Sequence, residues 1–237
     1  MIKSIEKCQD NVLDFLAAKI DDFYLSGGTA LSKFYFRHRI SDDLDFFTKK
    51  FNRQRIVNLV GDLQGGLKTK IRLLAEQTKM KEKVKMMIYI LDFGKENMLK
   101  IDFVEDYVNL IFPFKNINGI HVLSLEDIFL RKTYTLTEVG EATDSIGRKI
   151  ATGREEAKDF YDVYYLSHTF MNLSEFASKF CDSVIREKLV HWFRTYDRME
   201  MKTGLLELIL QGKKSIDFRE IEKHFKSEID KILEKEI

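Results

Sequence analysis

The chain has little proline and little cysteine: Pro113 is its single proline among 237 residues, and Cys8 and Cys181 are its two cysteines. With only 12 glycines as well, it holds little material for long, loose linkers. Two distant cysteines make neither a disulfide framework nor a thiolate metal cluster, and both read as packed thiols. Neither sign of charge is in excess, since 39 Lys and Arg oppose 38 Asp and Glu. That balance argues against non-specific nucleic-acid binding as the main task, although a local basic face is still compatible with it. The longest apolar runs, 86–91 and 110–114, fall far below the roughly 20 residues that span a bilayer. The N-terminal Met-Ile-Lys-Ser-Ile-Glu-Lys-Cys has no apolar core and no small-residue cleavage site. A cytoplasmic protein without a membrane partner is expected. The five histidines, His38, His121, His168, His191 and His224, show no zinc-ligand spacing. There is no P-loop ending in Gly-Lys-Ser/Thr, no Gly-x-Gly-x-x-Gly and no nucleophile elbow.

What is present suits a substantial core. Apolar residues make up 44% of the chain, and 19 Phe and 9 Tyr supply aromatic packing. The length allows one large domain or two small ones. Apolar spacing predicts an amphipathic helix over 3–20 with Ile5, Val12, Phe15, Leu16 and Ile20 on one face. A strand at 23–25 then meets a glycine turn that opens a helix at Thr29. A second strand spans 44–48, followed by a helix over 51–63 that Asp62 and Gly65-Gly66 bring to a stop. Three strands follow at 69–76, 83–92 and 98–104, as a mixed or antiparallel sheet. Beyond Ser124 the pattern becomes helical, over 124–138, 144–152, 155–170, 174–193, 197–211 and 217–235. Asp197 with Glu200 and Asp217 with Glu220 give reciprocal-cap signatures. The chain therefore divides into an α/β part, 1–120, and a helical part, 121–237, with the charge alternation of the last helix read as a solvated face.

The chemistry-bearing segment runs from Leu25 to Thr48. Gly27 and Gly28 permit a tight turn and close approach of a phosphate, whose oxygens the amides at the following helix start would meet. Ser26 or Thr29 adds a hydroxyl. Asp43 and Asp45 stand two apart on a strand, so both carboxylates project from one face. Such a pair needs compensation, and a divalent ion with hard oxygen ligands supplies it. Asp42 points the other way as a surface residue, and Phe46 and Phe47 continue inward. Asp102 interrupts a strand otherwise fit for burial. It either ends an edge strand or completes a three-carboxylate cluster able to hold two metals. Among Arg37, His38 and Arg39, the Arg39 guanidinium is the preferred phosphate or carboxylate partner. Lys158 and Asp162 share a helix face, which fits an ion pair as well as phosphate contact and acceptor activation by Asp162. Trp192 and Tyr196 beside Arg194 and Arg198 read as packing before RNA contact.

Gly27-Gly28-Thr29-Ala30-Leu31, Arg39, Ser41, Asp43-Leu44-Asp45 and Lys158-Asp159-Phe160-Tyr161-Asp162 together resemble the AbiEii/AbiGii toxin family of bacterial abortive-infection systems, within the polymerase-beta-like nucleotidyltransferase superfamily. The resemblance covers residues 20–170. It implies an α+β fold, with a small mixed sheet carrying the glycine turn and the Asp pair and a C-terminal helical bundle. It also implies Mg²⁺, with Mn²⁺ as a substitute, held by Asp43, Asp45 and Asp102, and an NTP as substrate. Ser26, Gly27, Gly28, Thr29, Arg39, Ser41, Lys149 and Asp159 would line the nucleotide, and Lys158 and Asp162 would join the three strand carboxylates in catalysis. The resemblance further implies an RNA or tRNA acceptor and a co-encoded winged-helix antitoxin. A small-molecule hydroxyl acceptor, or a module that binds nucleotide, RNA or antitoxin without turnover, are the alternatives. Thr29 follows Gly28 where many superfamily members carry Ser, and it keeps the hydroxyl.

Overall fold

The computed structural model describes residues 2–17, 19–78, 84–94, 97–137, 140–143, 149–152, 156–212 and 216–236. The chain forms two units, Met1–Ser124 and Leu125–Ile237. The first runs past 120 because a short strand there joins its sheet.

The first unit contains α1 (Ile2–Leu16), β1 (Tyr24–Ser26) and α2 (Gly27–Ala30), which continues through π-helical turns over Leu31–Phe36. β2 (Asp43–Thr48), α3 (Arg53–Leu67), β3 (Lys70–Gln77), β4 (Met86–Asp92), β5 (Met98–Glu105), β6 (Lys115–Ile117) and β7 (Ile120–Val122) follow. The strands make one mixed sheet ordered β3-β4-β5-β2-β1-β7-β6. β2 runs parallel to β5 and β1 parallel to β7, while the remaining pairs are antiparallel.

Strict alternation decides which face of the central strands is buried. Leu44 and Phe46 of β2 and Leu99, Ile101 and Phe103 of β5 are fully or almost fully enclosed. Phe103 is the hub, with its ring centroid 5.8 Å from Phe46, 5.4 Å from Phe23 and 6.3 Å from Tyr89. Burying each such side chain stabilises the fold by roughly 1.5–3 kcal/mol. α1 contacts both β5 and α3, with Val12, Leu13 and Leu16 inward.

Asn52 caps α3 by accepting from the Arg55 amide at 3.0 Å. The helix does not stop at residue 63. It passes through Gly65 and Gly66 to Leu67 and ends with Lys68 in the left-handed region. A side chain at Gly66 would overlap the Phe15 ring, so this glycine serves close helix approach instead of termination.

The second unit comprises α4 (Leu125–Thr137), the backbone-paired strands β8 (Gly140–Thr143) and β9 (Lys149–Thr152), then α5 (Ala157–Thr169), α6 (Leu173–Phe180), α7 (Ser183–Thr195), α8 (Arg198–Glu207) and α9 (Phe218–Glu236). The helix expected over 144–152 is corrected at 149–152, where the chain is a strand, and 144–148 lie outside the described residues. The β-branched Thr143, Ile150 and Thr152 favour extended backbone. The single helix expected over 174–193 is two, because Cys181 is extended and Asp182 starts a new helix by accepting from the Ile185 amide at 2.9 Å. Asp197 accepts from the Met199 and Glu200 amides at 2.8 and 2.9 Å, and Asp217 from the Arg219 amide at 2.8 Å. Phe160 lies at the centre of an aromatic core, 4.9 Å from Phe225, 5.4 Å from Tyr196 and 6.0 Å from Trp192 between ring centroids. Among the described residues no helix is long and apolar enough to cross a membrane.

Candidate active site

The site of the first unit grows from the end of β1. Ser26, in extended backbone, stands at the N-cap, and Gly27 turns the chain with φ +73°. Ser26 is also the register partner of Asp45, so the turn lies directly beside the second aspartate. A Cβ on Gly27 would overlap the Asp45 carboxylate, with Cγ at 3.1 Å. On Gly28 it would strike the Arg39 guanidinium and meet Ser41 Oγ at 2.9 Å. Thr29 Oγ1 donates to the Asp43 carbonyl, tying the first helical turn to the start of β2. Arg39 is buried, and its Nη1 donates to the Ile40 carbonyl at 2.9 Å. The glycines, Arg39, Ser41 and both aspartates therefore form one packed corner. Asp42 is exposed.

Asp43 and Asp45 share the half-buried face of β2, opposite Leu44 and Phe46. The parallel register places Lys100 beside Asp43 and Asp102 beside Asp45, on the matching face of β5. Asp102 is thus on a central strand, not an edge strand. Lys100 escaped the sequence reading. Its Nζ lies 3.1 Å from Asp43 Oδ2 and 3.0 Å from Asp102 Oδ2. Burial pulls the Lys100 ammonium down, but hydrogen bonding and charge from Asp102 and Asp43 outweigh it and hold it above the usual lysine range. Among the described residues, no group of three or more His, Cys, Asp or Glu side chains is arranged to hold a metal ion. The donor set fits an ion held through Asp43 and Asp45, hard oxygen donors on one face, with phosphate and water completing its shell.

The acidic helical motif lies in the second unit. Asp159 and Asp162 of α5 both engage the buried ammonium of Lys132 from α4, Asp162 at 2.8 Å. Asp162 is completely enclosed, so accepting a proton from an external hydroxyl would require it to leave this pair. Lys132 also escaped the sequence reading; the signal was a lysine among Ile128, Phe129, Thr133 and Leu136, all buried. Lys158 pairs with Glu156 at 2.8 Å and is about one-third exposed. Lys149 lies on β9, and its side chain is outside the described residues. Trp192 and Tyr196 are buried in the aromatic core, with Arg198 over the Tyr196 ring at 4.6 Å. The Cys181 thiol is pushed up to about 12 by burial, as expected of a packed thiol.

A family model described as nucleotidyl transferase AbiEii toxin, type IV toxin–antitoxin system, matches residues 14–237. The chain belongs to the AbiEii family. An uncharacterized protein of Aquifex aeolicus (strain VF5) is 32% identical over 151 residues, covering 62% of this chain and 58% of that relative's length. Helicobacter pylori JHP933 has a similar fold, with a TM-score of 0.57 at 20% identity over 99% of this chain and 94% of that one. MenT4, a nucleotidyltransferase toxin of Mycobacterium tuberculosis H37Rv, gives 0.53 at 13% identity over 97% and 82%. The AbiEii match takes in the glycine turn, the Asp43–Asp45 strand and the Asp159–Asp162 helix, and so spans both units.

Proposed function

We propose that this chain transfers a nucleoside monophosphate from an NTP to a hydroxyl acceptor, with an RNA such as tRNA as that acceptor, and that it acts as a toxin. The observation that carries the proposal is the corner in which the Gly27 turn packs against Asp45 while Thr29 holds the start of the Asp43 strand. Its chemistry is phosphoryl chemistry: backbone amides at a glycine turn accommodate phosphate oxygens, and a same-face carboxylate pair attracts a hard cation.

In this reading Asp43 and Asp45 hold Mg²⁺, or Mn²⁺ in its place, which when bound acidifies the acceptor hydroxyl and neutralises the triphosphate. Gly27, Gly28 and Thr29 bring their amides to the phosphates without an intervening side chain. Ser26 and Ser41 offer hydroxyls, and Arg39 fixes the corner and its charge. Asp102 sets the third carboxylate beside Asp45. In the second unit, Lys132 orients Asp159 and Asp162. The acceptor oxygen forms a bond to the α-phosphorus as the bond to pyrophosphate breaks, and the acceptor proton leaves to solvent.

A co-encoded antitoxin, a role in phage defence and a cytoplasmic location complete the proposal, all drawn from the family. The test is transfer of label from each α-labelled NTP to total cellular RNA, with aminoglycosides as parallel acceptors. Label should enter RNA in a metal-dependent way and be lost in the Asp43→Ala/Asp45→Ala double variant. Transfer at the parental rate by that variant would remove the mechanism. Binding of NTP with no product on any acceptor would point to a module without turnover.

A further inference from the structure

The lysine between two of the three carboxylates has no place in a scheme with two divalent ions. Lys100 is not a surface lysine reaching for solvent: its side chain is 24% exposed, and its ammonium bridges Oδ2 of Asp43 and Oδ2 of Asp102 at 3.1 and 3.0 Å. The register puts the three residues side by side. Lys100 is the strand partner of Asp43, Asp102 follows two residues later on the same face, and the strands on both sides of β5 hold it in place. A carboxylate edge of this kind is where a second divalent ion would sit in a two-metal phosphoryl transfer. An ammonium and a divalent ion cannot share it, because like charges at contact distance repel and compete for the same oxygens.

We propose that Lys100 is a tethered cation filling the Asp43–Asp102 edge, so that the chain takes a single divalent ion, at Asp43 and Asp45, with Lys100 orienting Asp43 for it. The proposal rests on the reading that Asp43 and Asp45 bind a divalent ion. Lys100 is then a positioning residue. It removes the need for a third free ligand at Asp102 and makes the charge of the edge independent of the metal concentration. A neutral side chain at 100 opens the edge to an ion.

The test counts Mn²⁺ bound to the full chain by electron paramagnetic resonance of the free ion, with no activity readout. The wild-type chain and Lys100→Arg should bind one ion, and Lys100→Met should bind two, the second within about tenfold of the first in affinity. Lys100→Met/Asp102→Asn should return to one. A purely structural lysine would change the melting temperature and leave the count at one. Two ions on the wild-type chain, or one ion with parental affinity on Lys100→Met, would overturn the role of Lys100 while leaving the metal reading intact. If Lys100→Met does not fold, the wild-type count and Lys100→Gln decide. Parental binding by Asp45→Asn, or no ion on the wild-type chain, would overturn the metal reading and this proposal together.

Discussion

Gly27 and Asp45 pack together so closely that no side chain fits at position 27. The glycine's φ of +73° adds a second demand, since other residues adopt that region only under strain. Gly27→Ala should therefore destabilise the chain by about 1–3 kcal/mol. By displacing Asp45 it should also lower nucleotide transfer about 100-fold. Gly28 lacks the positive φ, and a Cβ there meets the ends of the Arg39 and Ser41 side chains, so Gly28→Ala should cost less on both counts. Urea melts and labelled-NTP assays on the two variants check the order; a Gly27→Ala chain as active as Gly28→Ala would contradict it.

Lys132 is enclosed between Asp159 and Asp162. Lys132→Met leaves two buried carboxylates without their cation, so a loss of about 3–5 kcal/mol is expected. Replacing both acids at the same time, in Lys132→Met/Asp159→Asn/Asp162→Asn, should recover most of it. Denaturant midpoints of the single and triple variants measure this. Equal midpoints for wild type and Lys132→Met would show that the cluster carries no weight in folding.

His224 gives the second unit a pH dependence. Its Nε2 lies 2.7 Å from Ser167 Oγ, and burial lowers its pKa, with Glu228 opposing and His168 and Lys231 adding to the decrease. The unfolded ring takes up its proton near 6.5 and the folded ring only at lower pH, so protonation favours the unfolded chain. Stability present above that value should be lost as pH falls toward the folded pKa. The melting temperature should drop as the pH falls below the ordinary imidazole value of 6.5, and His224→Gln should flatten that limb. An unchanged slope in the variant would assign the effect to other groups.

The glycine–aspartate corner of the first unit was legible because it is local. The glycine turn, the hydroxyl residues and the Asp43–Asp45 alternation fall within two dozen residues, where spacing alone fixes the faces. Alternation does put Lys100 on the face of Asp102, but its pairing with Asp43 is set by strand register, and the partners of Lys132 by a helix pairing 27 to 30 residues away, neither of which periodicity encodes. In the fold, β2, β4, β5 and most helices follow from pattern. β6 and β7 are three residues each, too short for alternation to show, and their strand character comes from pairing with each other and with β1. Gly65-Gly66 was read as a stop because glycine more often ends helices; here the approach of Phe15 explains Gly66.

β2 carries Asp43 and Asp45 on one side and the Phe46 core on the other, between partners of opposite direction. A slip of one residue would bury both aspartates and turn Leu44 and Phe46 to the face the aspartates now occupy. A copy with that slip would lose both carboxylates from the face at once, never one alone.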